Sequence, residues 1–291
     1  MDNPRAAAEV TQTRGMGTNV TRLDPDLPLC WEDEETLRIG FERARARVRH
    51  PSAGAQRLIG VLRGGIAPEH LPMEARRVGA TPQETRELLT VLRPALVTAP
   101  PPASEREPAR PLRTIVCDEG REARGLRATL IASRLCTFDF EGEDPELVIV
   151  VERFLEPLGR AHRWLAAGVP HLLMRFTDQS VQVGPLVGLD GSPCHSCVTL
   201  AMLSRDPAYP TLAAQLYGVV PRSESDAGTH VAAAFAAGYI HGWLNGREEV
   251  HATKLLVPVA GGLVAGLPSL ERVAPHPRCG CATISAADRL P

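Results

Sequence analysis

Apolar Leu37, Ile39 and Phe41 alternate with Arg38, Gly40 and Glu42, the period-two pattern of a strand with one buried face. The alternation resumes at Ala44, Ala46 and Val48 against Arg43, Arg45, Arg47 and Arg49, so two short strands are predicted. Helical spacing takes over at Ser52, a suitable N-cap. Leu58, Ile59 and Leu62 share a face, and Gly64-Gly65 closes that helix. A second short helix is predicted over about 68–77. The third has a full start signal: Thr81 as cap, Pro82 at the first helical position and Glu84 three residues after the cap. Leu88, Leu89 and Leu92 form its inner face, and Pro94 stops it.

This layout predicts a small winged-helix-like domain over 23–98. Residues 1–22 are polar and small without periodicity, which predicts a disordered tail. Residues 99–111 read A-P-P-P-A-S-E-R-E-P-A-R-P, a proline- and charge-rich stretch expected to be an extended linker. Strand and helix patterns then alternate through 112–291: a strand at 114–117, a helix at 119–135 with Leu126, Leu130 and Ile131 inward, and the apolar run L-V-I-V-V at 147–151. A helix at 157–167 and a strand at 171–176 follow, then helices near 195–204, 210–217 and 226–244. The segment 254–273 carries strand-like runs broken by Gly261-Gly262 and Gly266. Such alternation predicts an α/β domain with a mostly parallel sheet and helices on both faces.

Cysteine spacing adds chemistry to this frame. Cys194 and Cys197 form a C-x-x-C, and Cys279 and Cys281 a C-x-C, with Pro193 and Gly191 before the first pair and Gly280 inside the second. Two thiolate pairs on tight turns match a closed tetrahedral zinc site, whose four protein ligands leave no position for catalysis. One disulfide or four unrelated buried cysteines is the plainer alternative, and His195 or His276 could replace a sulfur. Cys30, Cys117 and Cys136 have no partner at ligand spacing and read as small buried hydrophobes.

Composition narrows the classes. The chain has 291 residues, a formal net charge of −2 and 44% hydrophobic residues, so it can bury a sizeable core and shows no general basic field for nucleic acid. No apolar run has the length of a membrane span, and the first thirty residues hold no signal-peptide core. With seven cysteines, four of them at ligand spacing, the expectation is a reducing cytoplasm. Lys254 is the only lysine.

The turn after the first strand of the second domain, Cys117 to Gly125, reads C-D-E-G-R-E-A-R-G. Its two glycines are wrongly spaced for a phosphate loop, and Asp118, Glu119 and Glu122 would repel a polyphosphate. No G-x-S-x-G or H-E-x-x-H motif is present, and Asp178, after a strand end, reads as a turn residue.

The stretches V-G-P-L-V-G-L-D-G-S-P-C-H-S-C at 183–197, D-P-A-Y-P at 206–210, H-P-R-C-G-C at 276–281 and G-V-P-H-L-L-M-R-F-T-D at 168–178 resemble the E1-like (ThiF-type) proteins of actinobacteria. Among these the chain is most similar to the cyclodehydratase-type proteins that partner YcaO enzymes in thiazole/oxazole peptide biosynthesis. The resemblance covers roughly 112–291, and the N-terminal segment resembles the fused peptide-recognition domain by layout. It implies a Rossmann-like E1 domain, structural zinc on Cys194, Cys197, Cys279 and Cys281, frequent homodimers, and binding of a precursor (leader) peptide. Adenylating members carry a glycine-rich loop and basic groups for ATP phosphates; this chain lacks the loop, so ATP is not expected. The expectation is a scaffold that presents a peptide to a separate enzyme, with an active adenylyltransferase as the alternative and a DNA-binding regulator as a third reading. Arg43, Arg45, Arg47 and Arg49 share one face of a regular strand, which favours an acidic peptide along that edge.

Overall fold

The computed structural model describes residues 19–99, 110–142, 144–157 and 159–283. It divides into two units, one within residues 1–109 and one within 110–291. The linker expected at 99–111 lies outside the described residues except for Ala99, Arg110 and Pro111, and the first part of the expected tail, 1–18, also lies outside them.

In the first unit the chain enters as β1 (Val20–Leu23), which corrects the tail boundary at 22. Val20 and Leu23 are buried at its two ends, and β1 pairs antiparallel with β5 (Leu96–Ala99), so the segment is held at both ends of the unit. Between them, β2 (Leu29–Trp31), β3 (Thr36–Ile39) and β4 (Ala46–Arg49) form a three-stranded antiparallel sheet in that order. β3 ends at Ile39, because Gly40 turns out at φ +96°. A Cβ there would meet the Arg43 carbonyl oxygen at 2.4 Å, so the turn requires glycine. Phe41, expected on the buried face, is therefore 82% exposed.

Three helices cover this sheet: α1 (Ala53–Gly64), α2 (Leu71–Arg77) and α3 (Pro82–Leu92). The Ser52 hydroxyl caps α1 by accepting from Ala55 N, and Thr81 and Glu84 form the full capping box of α3. Leu58, Ile59, Leu62, Leu88 and Leu92 join Leu37, Ile39 and Val48 in one core. Each such side chain contributes about 1.5–3 kcal/mol through burial, so the helical periodicity and the strand alternation reinforce one another.

The second unit is built on an eight-stranded mixed sheet. Its strands are β6 (Leu112–Cys117), β7 (Cys136–Thr137), β8 (Leu147–Arg153), β9 (His171–Phe176), β10 (Ser180–Val187), β11 (Thr253–Ala260), β12 (Leu263–Val264) and β13 (Ser269–Arg272). The order is β12-β11-β10-β9-β8-β6-β7, with β13 also on β11. β7, β6, β8 and β9 run parallel, while the pairings from β9 through β13 are antiparallel, so the sheet is mixed where a mostly parallel one was expected. The difference arises at Thr177–Ser180. There a tight turn, with Thr177 N on the Ser180 carbonyl at 2.9 Å, reverses the chain where a crossover helix would keep it parallel. Asp178 sits in that turn.

The helices are α4 (Leu126–Ala132), α5 (Gly159–Ala166), α6 (His195–Arg205), α7 (Tyr209–Gln215) and α8 (Asp226–Leu244). α4 is shorter than the 119–135 expected, and Ile131 is exposed while Leu126 and Leu130 are buried. The acidic turn before it stays out of helix, and Gly125 provides a left-handed start at φ +79°. No helix among the described residues is long and apolar enough to cross a membrane.

The two faces of this sheet differ. Ile149, Val151, Leu172, Met174, Val257 and Val259 pack in the large apolar core with α4 and α8. The alternate positions carry Cys117, Val148, Val150 and Leu173, and then, on the same period, Glu152, His171, Arg175 and Lys254. This second face holds the chemistry.

Candidate metal centre and strand-end crevice

Cys194 is the N-cap of α6, and Cys197 lies in its first turn, where unpaired backbone N–H groups and the helix dipole favour a thiolate. The second pair lies at the C-terminal end of the described chain, where Cys279 N donates to the His276 carbonyl at 2.8 Å and closes a turn. The fold joins the two turns: Cys194 Sγ is 3.5 Å from Cys279 Sγ, and Cys197 Sγ is 3.3 Å from Cys281 Sγ. All four sulfurs lie within 4.8 Å of one another, and this is the cluster able to hold a metal ion among the described residues.

The donors suit a soft divalent ion. Tetrahedral zinc–thiolate bonds of about 2.3 Å place sulfurs about 3.7 Å apart, close to the separations seen. The neighbouring histidines have other partners: His195 Nε2 lies 2.7 Å from Glu152 Oε1, and His276 Nε2 is 3.3 Å from the Ser204 hydroxyl. Burial pushes the Cys194 thiol up to about 11 and raises Cys197 and Cys279 as well. At Cys281 burial acts in the same sense, but hydrogen bonds involving Ser192 and Cys197 outweigh it and bring the thiol down to about 7. Such a cluster keeps most of its protons at neutral pH until a cation displaces them. Among the described residues, Cys194, Cys197, Cys279 and Cys281 would hold the ion, and its contribution there is to tie the chain's end to α6.

The second feature lies where the strand order reverses. β7 pairs with one side of β6 and β8 with the other, so the crevice beyond the C-terminal ends of β6 and β8 is the topological switch point at which α/β sheets bind ligands. A side chain of the protein fills it. Arg160 Nη2 donates to the Cys117 carbonyl at 2.7 Å and the Val151 carbonyl at 3.1 Å. Glu119 and Glu156 pair with the same guanidinium. Glu156, itself buried, also accepts from Arg121 at 2.8 Å and from the Arg153 backbone N–H at 3.1 Å. Arg153 in turn pairs with Glu224 and donates to the carbonyls of Asp118 and Arg121. Arg160, Arg121 and Arg153 each have a carboxylate partner, while Arg163 donates to the Cys117 sulfur at 3.0 Å.

The second sheet face continues this charged layer. Arg175 pairs with Glu152 through Nε at 2.8 Å and Nη2 at 2.7 Å. Burial works to raise the Glu152 carboxyl, but His195 and Arg175 outweigh it and hold it at about 2. The apolar run L-V-I-V-V ends directly in Glu152-Arg153, and that abrupt change was the available sequence signal for these pairs. Their partners come from distant segments, which spacing alone does not show.

The remaining expected site residues lie in the first unit. Arg43 and Arg45 precede β4 in an irregular turn, and only Arg47 and Arg49 are on the strand, so the four arginines do not form one stripe. Arg47 is also engaged, with Nε 2.5 Å from Glu32. Beside β4 runs a groove of ≈ 420 Å³ with Val48, Ala55, Leu88 and Val91 in its lining. Arg47, Arg49 and His50 border it on the strand side, and Glu84 and Glu87 on α3.

No family profile matches the sequence, and no curated protein matches it. Solved structures do. The heterocyclase TruD superposes with a TM-score of 0.59 at 13% identity, over 91% of this chain and 43% of that one. A heterocyclase in complex with substrate and cofactor gives 0.57 at 15% identity, over 91% of this chain and 40% of that one. E. coli MccB with AMPCPP and MccA gives 0.52 at 8% identity, over 90% and 99%. This chain therefore spans about two fifths of the heterocyclase chains and nearly the full length of MccB. At these identities the likeness is one of fold: a mixed α/β architecture shared with heterocyclase and MccB structures, carrying here a four-cysteine cluster and an arginine-filled crevice.

Proposed function

We propose that this protein is an E1-like scaffold of a cyclodehydratase-type system. It binds a precursor (leader) peptide through its N-terminal, winged-helix-like unit and presents it to a separate YcaO-type enzyme, without adenylating anything itself. The observation that carries the reading is Arg160 bonded to the Cys117 and Val151 carbonyls, because a guanidinium and its two carboxylates occupy the space a nucleotide phosphate needs. The matched part is about two fifths of each heterocyclase chain. Zinc on Cys194, Cys197, Cys279 and Cys281 is structural.

Peptide binding is by strand addition. β4 is an edge strand of its sheet and runs beside α3, so an extended peptide can complete the ladder and set alternate side chains in the groove. Apolar side chains fit over Val48, Leu88 and Val91. Acidic groups face Arg49 and His50, and basic groups face Glu87.

Calorimetry on the full-length protein tests both parts. An extended peptide with an alternating apolar and acidic pattern should bind and weaken as salt rises. Val91→Asp, at a position 42% exposed, should weaken binding about tenfold or more without loss of fold, since it places a charge on the apolar floor. ATP should give no heat and no pyrophosphate release. Saturable ATP binding with turnover would favour the adenylyltransferase.

A further inference from the structure

The only lysine of the chain is one of three cations that converge on the charged sheet face under α6. Lys254 is 8% exposed and its ammonium is 3.2 Å from Glu271 on the neighbouring strand β13. The same Glu271 oxygen is 3.9 Å from Arg205 at the end of α6. Burial lowers the Lys254 pKa, Glu271 opposes this, and Arg175 and Arg205 lower it further, so all three cations feel one another.

Donor capacity exceeds what the protein supplies. Arg175 is 4% exposed, and while Nε and Nη2 are on Glu152, Nη1 faces the Met202 thioether at 2.6 Å, a weak acceptor. Thr199 is 3% exposed, and its hydroxyl has no hydrogen-bond partner among the described residues. His195, Thr199 and Met202 follow one another at i, i+4 and i+7 and so share one face of α6. His195 on that face touches Glu152, and Met202 touches Arg175, which places Thr199 over the same pair. An ammonium has three N–H donors, and Glu271 takes one. Buried donors without good acceptors are costly and therefore uncommon in folded proteins.

We propose that α6 and the β9–β11 face form an anion-binding site, in which Arg175 Nη1, the Thr199 hydroxyl, Lys254 and Arg205 receive a carboxylate or phosphate group. Glu271 shows that Lys254 and Arg205 already take a carboxylate from the chain itself. The ligand gives the buried guanidinium and hydroxyl the acceptor they lack. This site lies within the second unit and does not depend on the scaffold reading.

The test uses full-length, zinc-loaded protein at constant ionic strength, with acetate and inorganic phosphate titrated against chloride by thermal melting and calorimetry. Saturable binding of acetate or phosphate is expected, and the stronger of the two names the group. Arg205→Gln, at a side chain 69% exposed, should weaken it at least tenfold with fold and zinc content unchanged. Thr199→Val should act in the same direction, whereas Arg49→Gln, in the other unit, should not change it. No saturable response to either anion would overturn the proposal. So would a response that Arg205→Gln and Thr199→Val leave unchanged.

Discussion

Arg160 reaches back from α5 to donate to the Cys117 carbonyl at 2.7 Å, 43 residues earlier in the chain. One guanidinium thus joins the ends of two parallel strands where a ligand-binding fold of this kind leaves an opening. Its partner carboxylate, on Glu156, is also shared with Arg121 and the Arg153 backbone. The crevice is a closed network of charges, and consequences follow for its members.

Removing Glu156 alone should be costly. Glu156→Ala leaves Arg160 and Arg121 buried or half-buried without their shared partner, a loss of about 3–5 kcal/mol. The double variant Glu156→Leu with Arg160→Met removes the charge together with its partner and should recover part of that loss. Urea unfolding at pH 7.5 measures both; equal losses in the two variants would show that the pair is not the source.

The cysteine cluster should bind about one zinc per chain, the stoichiometry of one four-ligand site. Cys194→Ser or Cys281→Ser should abolish retention of the metal and cost about 4 kcal/mol, because metal binding is coupled to folding. Metal analysis after gel filtration, with thermal melting, decides the matter. Retention of a full equivalent in both variants would exclude the four-thiolate site.

Acid should destabilise the second unit in two steps. Burial lowers His171 from 6.5 to about 4, so the unfolded chain binds a proton that the folded one refuses. Stability is unaffected above about pH 6.5 and falls by about 3 kcal/mol as pH drops to 4. Glu152, held at about 2 against 4.5, adds a further loss between those values. Unfolding midpoints at pH 7.5, 5.5, 4 and about 2.5 should show both steps. His171→Asn, which removes the titration, should flatten the first step and separate it from acid release of zinc.

The first unit was largely legible in the sequence because its signals are local. The Thr81–Glu84 capping box, the Ser52 cap and the Leu58–Leu62 face each depend on residues within a turn or two, and the structure places them as read. The cysteine pairs were equally visible, since each lies within four residues, and only their meeting across 82 positions needed the fold. Tertiary structure decided what depended on distant partners. β10 was hidden in the glycine- and proline-containing approach to Cys194, and only pairing with β9 and β11 makes it a strand. The arginines at 43–49 followed a strand period that Gly40 interrupts, so backbone geometry outweighed alternation. Glu156 and Arg160 stand four residues apart, but Glu152, Arg175 and Lys254 sit in segments whose sequence spacing carries no trace of one another. Their chemistry arises because the sheet brings distant strands side by side, and a buried charge must find its partner wherever the fold provides one.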